Sequence, residues 1–306
     1  MVIPYYGFKF QIFLLFISVC FNPPSVFAQD KMLRDDIQKI ITEADGKIGV
    51  AVKFLDSGDT LTVNNDYKYP MQSVYKFPLA FAVLNMIDKG EYSLKHEIRI
   101  TKGELLQDTW SPLRDKYPEG DVDIPMSEIL TYTVSISDNN GCDILFRLAG
   151  GPGNVEEYIH GLGIKDIAII STEQEMHADR QLQYKNWCKP MAMVSLFELL
   201  NEGKHLSAES NNFLYKILAE TSTGTNRIKG LLPERTVVAH KTGSSGYNDK
   251  GIASATNDAG IVELPDGRKF AIAVFVSDYK GDEKTCESII AKISKAVWDY
   301  YLNPEK

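Results

Sequence analysis

The run Val74-Tyr-Lys-Phe-Pro-Leu-Ala-Phe-Ala-Val-Leu-Asn-Met-Ile87 is apolar on nearly every side of a helix. A helix that is hydrophobic all round has to be buried, so the rest of the chain must pack around it. The pattern predicts a helix opening at Ser73 and closing at Gly90, since glycine takes the left-handed conformation that ends helices. One feature conflicts with this burial: the first turn carries Ser73 and Lys76. Three residues apart, their side chains share one helix face. A hydroxyl beside an amine at a helix N-terminus is a way to make a nucleophile. The amine can take the proton, and the backbone amides and helix dipole favour negative charge there. Ser-x-x-Lys alone arises by chance on the order of once in a chain of this length. Ser277-Asp-Tyr-Lys280 is a second match, at the end of an apolar strand. The pair therefore needs support from elsewhere.

Of the 306 residues, 44% are hydrophobic and 24% charged, enough for a large core. The net charge of −8 and the absence of a basic block argue against nucleic acid as a partner. Residues 1–28 read as a secretory signal. Gln11 to Val19 is a short apolar run, Pro23 and Pro24 break it, and Val26-Phe27-Ala28 offers small residues for cleavage before Gln29. The mature chain is then expected to be secreted into a periplasm-like space as a monomer, with no membrane association once the signal is gone. Cys142, Cys188 and Cys286 remain, an odd number that makes no disulfide framework. The five histidines have no metal-site spacing, so neither a metal nor another cofactor is expected.

Asp35–Ala44 reads as a helix, Lys47–Leu55 and Asp59–Asn64 as a hairpin around Asp56-Ser-Gly-Asp59. From the buried helix to Glu220 the pattern is helices and loops, with a long polar stretch from Ile164 to Trp187. Thr236–Gly243, Asp258–Leu264 and Lys269–Ser277 read as three more strands, the last two turned by Pro265-Asp-Gly267. Glu283–Leu302 is an amphipathic closing helix. Strands and helices in runs indicate an α+β fold. The expected architecture is an antiparallel five-stranded sheet flanked by the N- and C-terminal helices, with an all-helical subdomain inserted. The single catalytic domain 29–306 then divides into a sheet part, about 29–66 plus 221–306, and a helical part, about 67–220.

Two further motifs lie in this frame. Ser137-Asp138-Asn139 falls between helical segments, where it reads alone as a helix cap, and Lys241-Thr242-Gly243 ends a strand. Ser-x-x-Lys, Ser-Asp-Asn and Lys-Thr-Gly in this order form a specific set. With it, the sequence resembles the class A serine β-lactamases over essentially the whole mature chain. The likeness extends to Trp110-Ser111-Pro112, Thr223-Gly224, Arg227 and Glu173-Gln-Glu-Met-His177, and is nearest to the divergent subgroup of extended-spectrum cephalosporinases.

The resemblance implies the serine β-lactamase and penicillin-binding transpeptidase-like fold, and hydrolysis of the β-lactam ring of penicillins and cephalosporins, conferring resistance. Ser73 attacks and is acylated. Lys76, or Glu173 through a water, takes its proton, and Glu173 activates the deacylating water. The backbone N–H groups of Ser73 and Ser244 form the oxyanion hole. Ser137 passes a proton to the departing nitrogen. Lys241 holds Ser137 and the substrate carboxylate, and Thr223, Arg227, Thr242, Gly243 and Ser244 belong to that carboxylate pocket. Asn139 takes the acylamide side chain, His177 lines the same region, and Trp110 walls the entrance. The alternative is a penicillin-binding DD-peptidase or antibiotic sensor with slow deacylation, against which Glu173 argues.

Several positions depart from the family pattern. His177 replaces an asparagine that helps hold the water, and Asp143 replaces the second asparagine of Ser-Asp-Asn-x-x-x-Asn. The arginine–aspartate pair that closes the loop falls on Ser171 and Asn186, and Ala80 takes one position of a cysteine pair. Other contacts are therefore expected to hold the Glu173 loop.

Overall fold

Lys47–Phe54 and Lys269–Ser277 are rich in valine, isoleucine and alanine, and they pair antiparallel along their whole length, Lys47 opposite Ser277 and Phe54 opposite Phe270. The computed structural model describes residues 1–3 and 26–302. Most of the expected export signal lies outside the described residues. Around the central pair the sheet runs in the order Thr60–Val63, Lys47–Phe54, Lys269–Ser277, Thr256–Glu263, Val238–Ser244, all antiparallel. The Lys-Thr-Gly strand is thus an edge strand, and it continues one residue past the glycine to Ser244.

The period-2 alternation of a strand separates two kinds of residue. Val50, Val52, Ile272, Val274 and Val276 face one way, into a core shared with Leu33, Ile37, Ile289, Ile293 and Trp298 of the terminal helices Val26–Ile41 and Glu283–Leu302. Ala51, Ala239, Ala259, Ala271 and Ala273 face the other way, into the core of the inserted block. Small side chains on that face let helices approach the sheet closely.

The inserted block surrounds the buried helix, as its composition requires. A 3-10 turn, Gln72–Tyr75, leads without a break into the helix Lys76–Asp88, so Ser73 sits one turn ahead of the α-helix proper. Every residue from Lys76 to Leu84 is buried. Phe77 stacks on Phe197 at 4.1 Å, and each such side chain contributes roughly 1.5–3 kcal/mol by leaving water. The helix ends as the glycine signal implied. Gly90 has φ 82°, its N–H bonds to Ile87 O, and the Glu91 N–H bonds to Met86 O. These two reversed bonds satisfy carbonyls that a helix end leaves open.

The block is not purely helical. Ile167–Ala168, Trp187–Cys188 and Tyr69–Pro70 form a small ladder at the base of the 164–187 stretch, and Glu97–Ile100 pairs with Val122–Pro125. Strands of two to four residues are too short to leave a period in the sequence. Cys142, Cys188 and Cys286 are buried free thiols. Among the described residues, no helix is long and apolar enough to cross a membrane.

Candidate active site

Three segments converge on Lys76. Its ammonium is fully buried and donates to Ser137 O at 2.9 Å and to Asn139 Oδ1 at 2.5 Å. It also lies 3.0 Å from Glu173 Oε1. The first two contacts are directed hydrogen bonds. The third is an attraction of charges without hydrogen-bond alignment, because Glu173 Oε1 is buried and has no hydrogen-bond partner. A carboxylate oxygen in that state keeps a lone pair free for a further donor. Lys76 follows Ser73 by one turn, so one cation joins the Ser73 segment, the Ser-Asp-Asn motif and the Glu173 loop.

Ser-Asp-Asn divides its work. Asp138 caps the helix Asn139–Leu148 through Gly141 N, and its two oxygens also accept from Ser111 Oγ and Leu113 N. With the motif so anchored, Ser137 is held at φ 64°, a left-handed backbone that a serine adopts at a cost of about 1–2 kcal/mol. Its hydroxyl accepts from Lys241 Nζ at 3.0 Å. Asn139 Nδ2 donates to Thr109 Oγ1. Trp110 is 59% exposed beside this motif, its indole N–H bonded to Ile136 O and its carbonyl accepting from Asn139 N.

The Lys-Thr-Gly strand approaches the Ser73 turn so closely that only glycine fits at 243. A Cβ there would lie 2.4 Å from Met71 O and 3.2 Å from Ser73 N. The approach brings the strand end carrying Ser244 against the Ser73 backbone. Asn257 fixes it from below: buried in the neighbouring strand opposite Gly243, it donates to Pro70 O and Met71 O. Gln72, before Ser73, is also left-handed at φ 49° and is tied by its amide to Gln183.

Lys241 is fully buried. Burial, and then the charge of Lys76, push its ammonium well below the ordinary lysine range, while Asp258 and Glu173 act in the opposite direction. Thr242 Oγ1 is 2.6 Å from Thr223 Oγ1. Arg227 is only 4% exposed, and its guanidinium bonds to Gly243 O, Asn257 O, Ser244 Oγ, Glu283 and Glu287. Five contacts use a guanidinium's five N–H groups. Arg227 therefore stands behind the strand and meets the site through the Ser244 hydroxyl, not as an open cation.

The 164–187 stretch contains a helix of its own, Glu173–Ala178, opened by a capping box of Thr172 and Glu175. The contacts that replace the absent ion pair are neutral. Asn186 Oδ1 accepts from Ile170 N and Ser171 N, and its Nδ2 donates to Ser171 O and Met176 Sδ. Asp143 accepts from the amides of Glu173 and Gln174 at 2.8 and 2.9 Å, clasping the helix at its first residues. Burial and the charge of Glu173 raise the Asp143 carboxyl to about 7, against the pull of those two amides. Glu175 serves the capping box and Glu173 meets Lys76. His177 is exposed on the same helix and lines, with Glu173, Asp143, Asn139 and Thr109, a cavity of about 260 Å³.

Ser73, Lys76, Ser137, Asn139, Glu173, Lys241, Thr242, Gly243 and Ser244 thus gather at one place, with Thr223 and Arg227 behind the strand, Trp110 at the rim and His177 on the loop. The rival pair does not gather: Ser277 Oγ is buried and bonded to Ser254 O, and Lys280 is exposed. Asn257, Gln72 and Thr109 belong to none of the sequence motifs, and Asp143 and Asn186 stand out in the sequence only as departures from the family pattern. A polar residue inside an apolar strand, as Asn257 is, was the one signal available for it.

A half-buried serine and glutamate around a fully buried lysine, against an edge strand between a sheet and a helical block, have the parts that acyl transfer to a serine requires. Comparison with known proteins gives the family. The sequence pattern of the family described as "Beta-lactamase enzyme family" matches residues 32–301. β-Lactamase VEB-1 of Pseudomonas aeruginosa is 45% identical over 96% of this chain and 98% of its own. The crystal structure of TLA-1 extended-spectrum β-lactamase superposes with a TM-score of 0.88 at 51% identity, covering 90% of this chain and 99% of that one. A class A β-lactamase from Bacteroides cellulosilyticus gives 0.86 at 39% identity, over 89% and 98%. The chain belongs to the β-lactamase enzyme family; it is a class A serine β-lactamase.

Proposed function

We propose that this enzyme opens the β-lactam ring of penicillins and cephalosporins through an acyl-enzyme on Ser73, and that Glu173 activates the water that releases it. The observation that carries the reading is the placement of Lys76, bonded to Ser137 and Asn139 and 3.0 Å from Glu173. Ser73 Oγ attacks the ring carbonyl, its proton leaving toward Lys76 or, through a water, Glu173. The developing oxyanion is received by the N–H groups of Ser73 and Ser244, which the close approach at Gly243 supports. Ser137 Oγ, bonded to Lys241, gives the departing nitrogen its proton. The substrate carboxylate sits on Lys241, Thr242 and Ser244, whose hydroxyl is oriented by Arg227. Thr223 orients Thr242. Asn139 and His177 border the acylamide group, and Trp110 walls the entrance.

Deacylation needs a base near the ester. The unpartnered buried Oε1 of Glu173 supports a water there, since a water supplies the missing donor. Export through the 1–28 signal to the periplasm and action as a monomer belong to the same reading. The test is incubation with a chromogenic cephalosporin. Steady turnover that Ser73→Ala abolishes, with the fold intact, is expected. A stoichiometric burst that then stops would favour the slow-deacylating alternative, and no reaction at all would refute the proposal.

A further inference from the structure

Behind the Lys-Thr-Gly strand lies a buried pair with no part in the scheme above. His240 and Asp258 are both fully buried, with His240 Nδ1 2.8 Å from Asp258 Oδ1 and 3.0 Å from Oδ2. Asp258 Oδ2 also accepts from Ile228 N at 3.1 Å. One carboxylate thus ties together the residue before Lys241 and the residue after Arg227. Space is made for the imidazole: Gly260 stands opposite His240 in the ladder, and a Cβ there would lie 2.5 Å from the His240 Cβ.

Strand alternation sets His240 and Asp258 on one face of the sheet and the Lys241 side chain on the other. On its own side Lys241 feels Lys76 from the buried helix, Glu173 from the loop and the Cys142 thiol from the helix Asn139–Leu148. Burial and Lys76 disfavour its charge, and Asp258 and Glu173 favour it. The same carboxylate favours the charge of Lys229. A carboxylate buried this deeply costs several kcal/mol in desolvation unless it is bonded and paired. Here the bonds come from His240 and Ile228.

We propose that Asp258 and His240 are positioning residues of the reaction. Asp258, fixed by His240 and the Ile228 N–H, supports the ammonium of Lys241 from the back of the sheet and holds the Arg227 segment against the same strand. The proposal rests on the reading of Lys241 as the seat of the substrate carboxylate.

Asp258→Asn keeps the shape and an acceptor for Ile228 and removes the charge. The measurement is kcat/KM against pH for a chromogenic cephalosporin and for its carboxylate methyl ester. The wild type should prefer the acid, and lose the preference as pH rises and Lys241 gives up its proton. In Asp258→Asn that loss should move to lower pH by ~0.5–1 unit, a preference about three- to tenfold weaker on the limb, carried by KM more than kcat. At pH 6 the preference should survive. A folded Asp258→Asn with an unmoved limb, or with a drop equal at every pH, overturns the proposal. If this variant does not fold, His240→Gln decides. It leaves the carboxylate less well bonded and should shift the limb the same way by less; no shift overturns the proposal. A wild type that never distinguishes acid from ester would instead contradict the role given to Lys241.

Discussion

Lys241 and Glu173 both act around Lys76, but they are held in place by different means. Lys241 is part of a seven-residue strand laddered on its neighbour from Val238 to Ser244, with Asn257, Arg227 and Asp258 bonded around it. Glu173 opens a six-residue helix on a stretch that no long ladder touches, fixed by Asp143, by Asn186 and by the Thr172–Glu175 box. The strand half spreads its support over backbone pairs that no side-chain replacement removes. The loop half concentrates it in a few side chains. One substitution should therefore release Glu173, whereas one substitution should weaken the strand half without dismantling it.

Among the supports of the two halves, the largest effect on stability is expected at Asn186. Asn186→Ala strands the buried N–H and C=O of Ser171, each at about 1–3 kcal/mol, and frees the Ile170 N–H. Denaturant unfolding should show a loss of roughly 3 kcal/mol, and deacylation should slow more than acylation. Wild-type stability and turnover would place the loop's anchor elsewhere. On the strand side, Arg227→Ala should cost about 1.5–3 kcal/mol in kcat/KM, the worth of charged hydrogen bonds, and should do so through a disordered Ser244 hydroxyl. An unchanged kcat/KM would make Arg227 purely structural.

A pH-dependent effect belongs to Asp143. Its carboxyl is raised to about 7 in the fold, above its ordinary value, so the folded protein binds the proton more tightly than the unfolded chain. The stabilisation is complete below about pH 4 and is lost as pH rises through about 7, with a slope of at most about 1.4 kcal/mol per pH unit. Asp143→Asn should flatten stability against pH across that window; an unaltered slope would mean that other groups set it. The smallest effect is expected from Glu175→Ala, which removes one arm of the capping box and should cost about 1 kcal/mol of stability with acylation unchanged.

The same contrast decides what could be read from the sequence. The five strands and the buried helix were legible because each follows a period, or breaks one, over eight or more residues or beside a strong turn. Gly90 and the Pro265-Asp-Gly267 turn were legible for the same reason. Ser73, Lys76, Ser137 and Lys241 were legible as motifs, since their spacing reflects one helix turn or one strand end. The fastening of the loop was not. Asn186 lies 15 residues from Ser171, and Asp143 lies 30 from Glu173, so no local pattern links them. The sequence signalled only that the customary ion pair was missing. Arg227 was legible as a cation near the strand, but its saturation by two glutamates of the closing helix depends on a contact 56 to 60 residues away.

The central claim is that Glu173, clasped at 3.0 Å from Lys76, drives deacylation of Ser73. Mass spectrometry of Glu173→Ala mixed with a good cephalosporin tests it most directly. One equivalent of product should appear quickly, followed by a persistent adduct on the peptide carrying Ser73. Loss of a general base slows its step on the order of a hundred- to ten-thousand-fold, which is enough to trap the ester. Near-normal steady turnover with no accumulating adduct would contradict the account and put the base elsewhere.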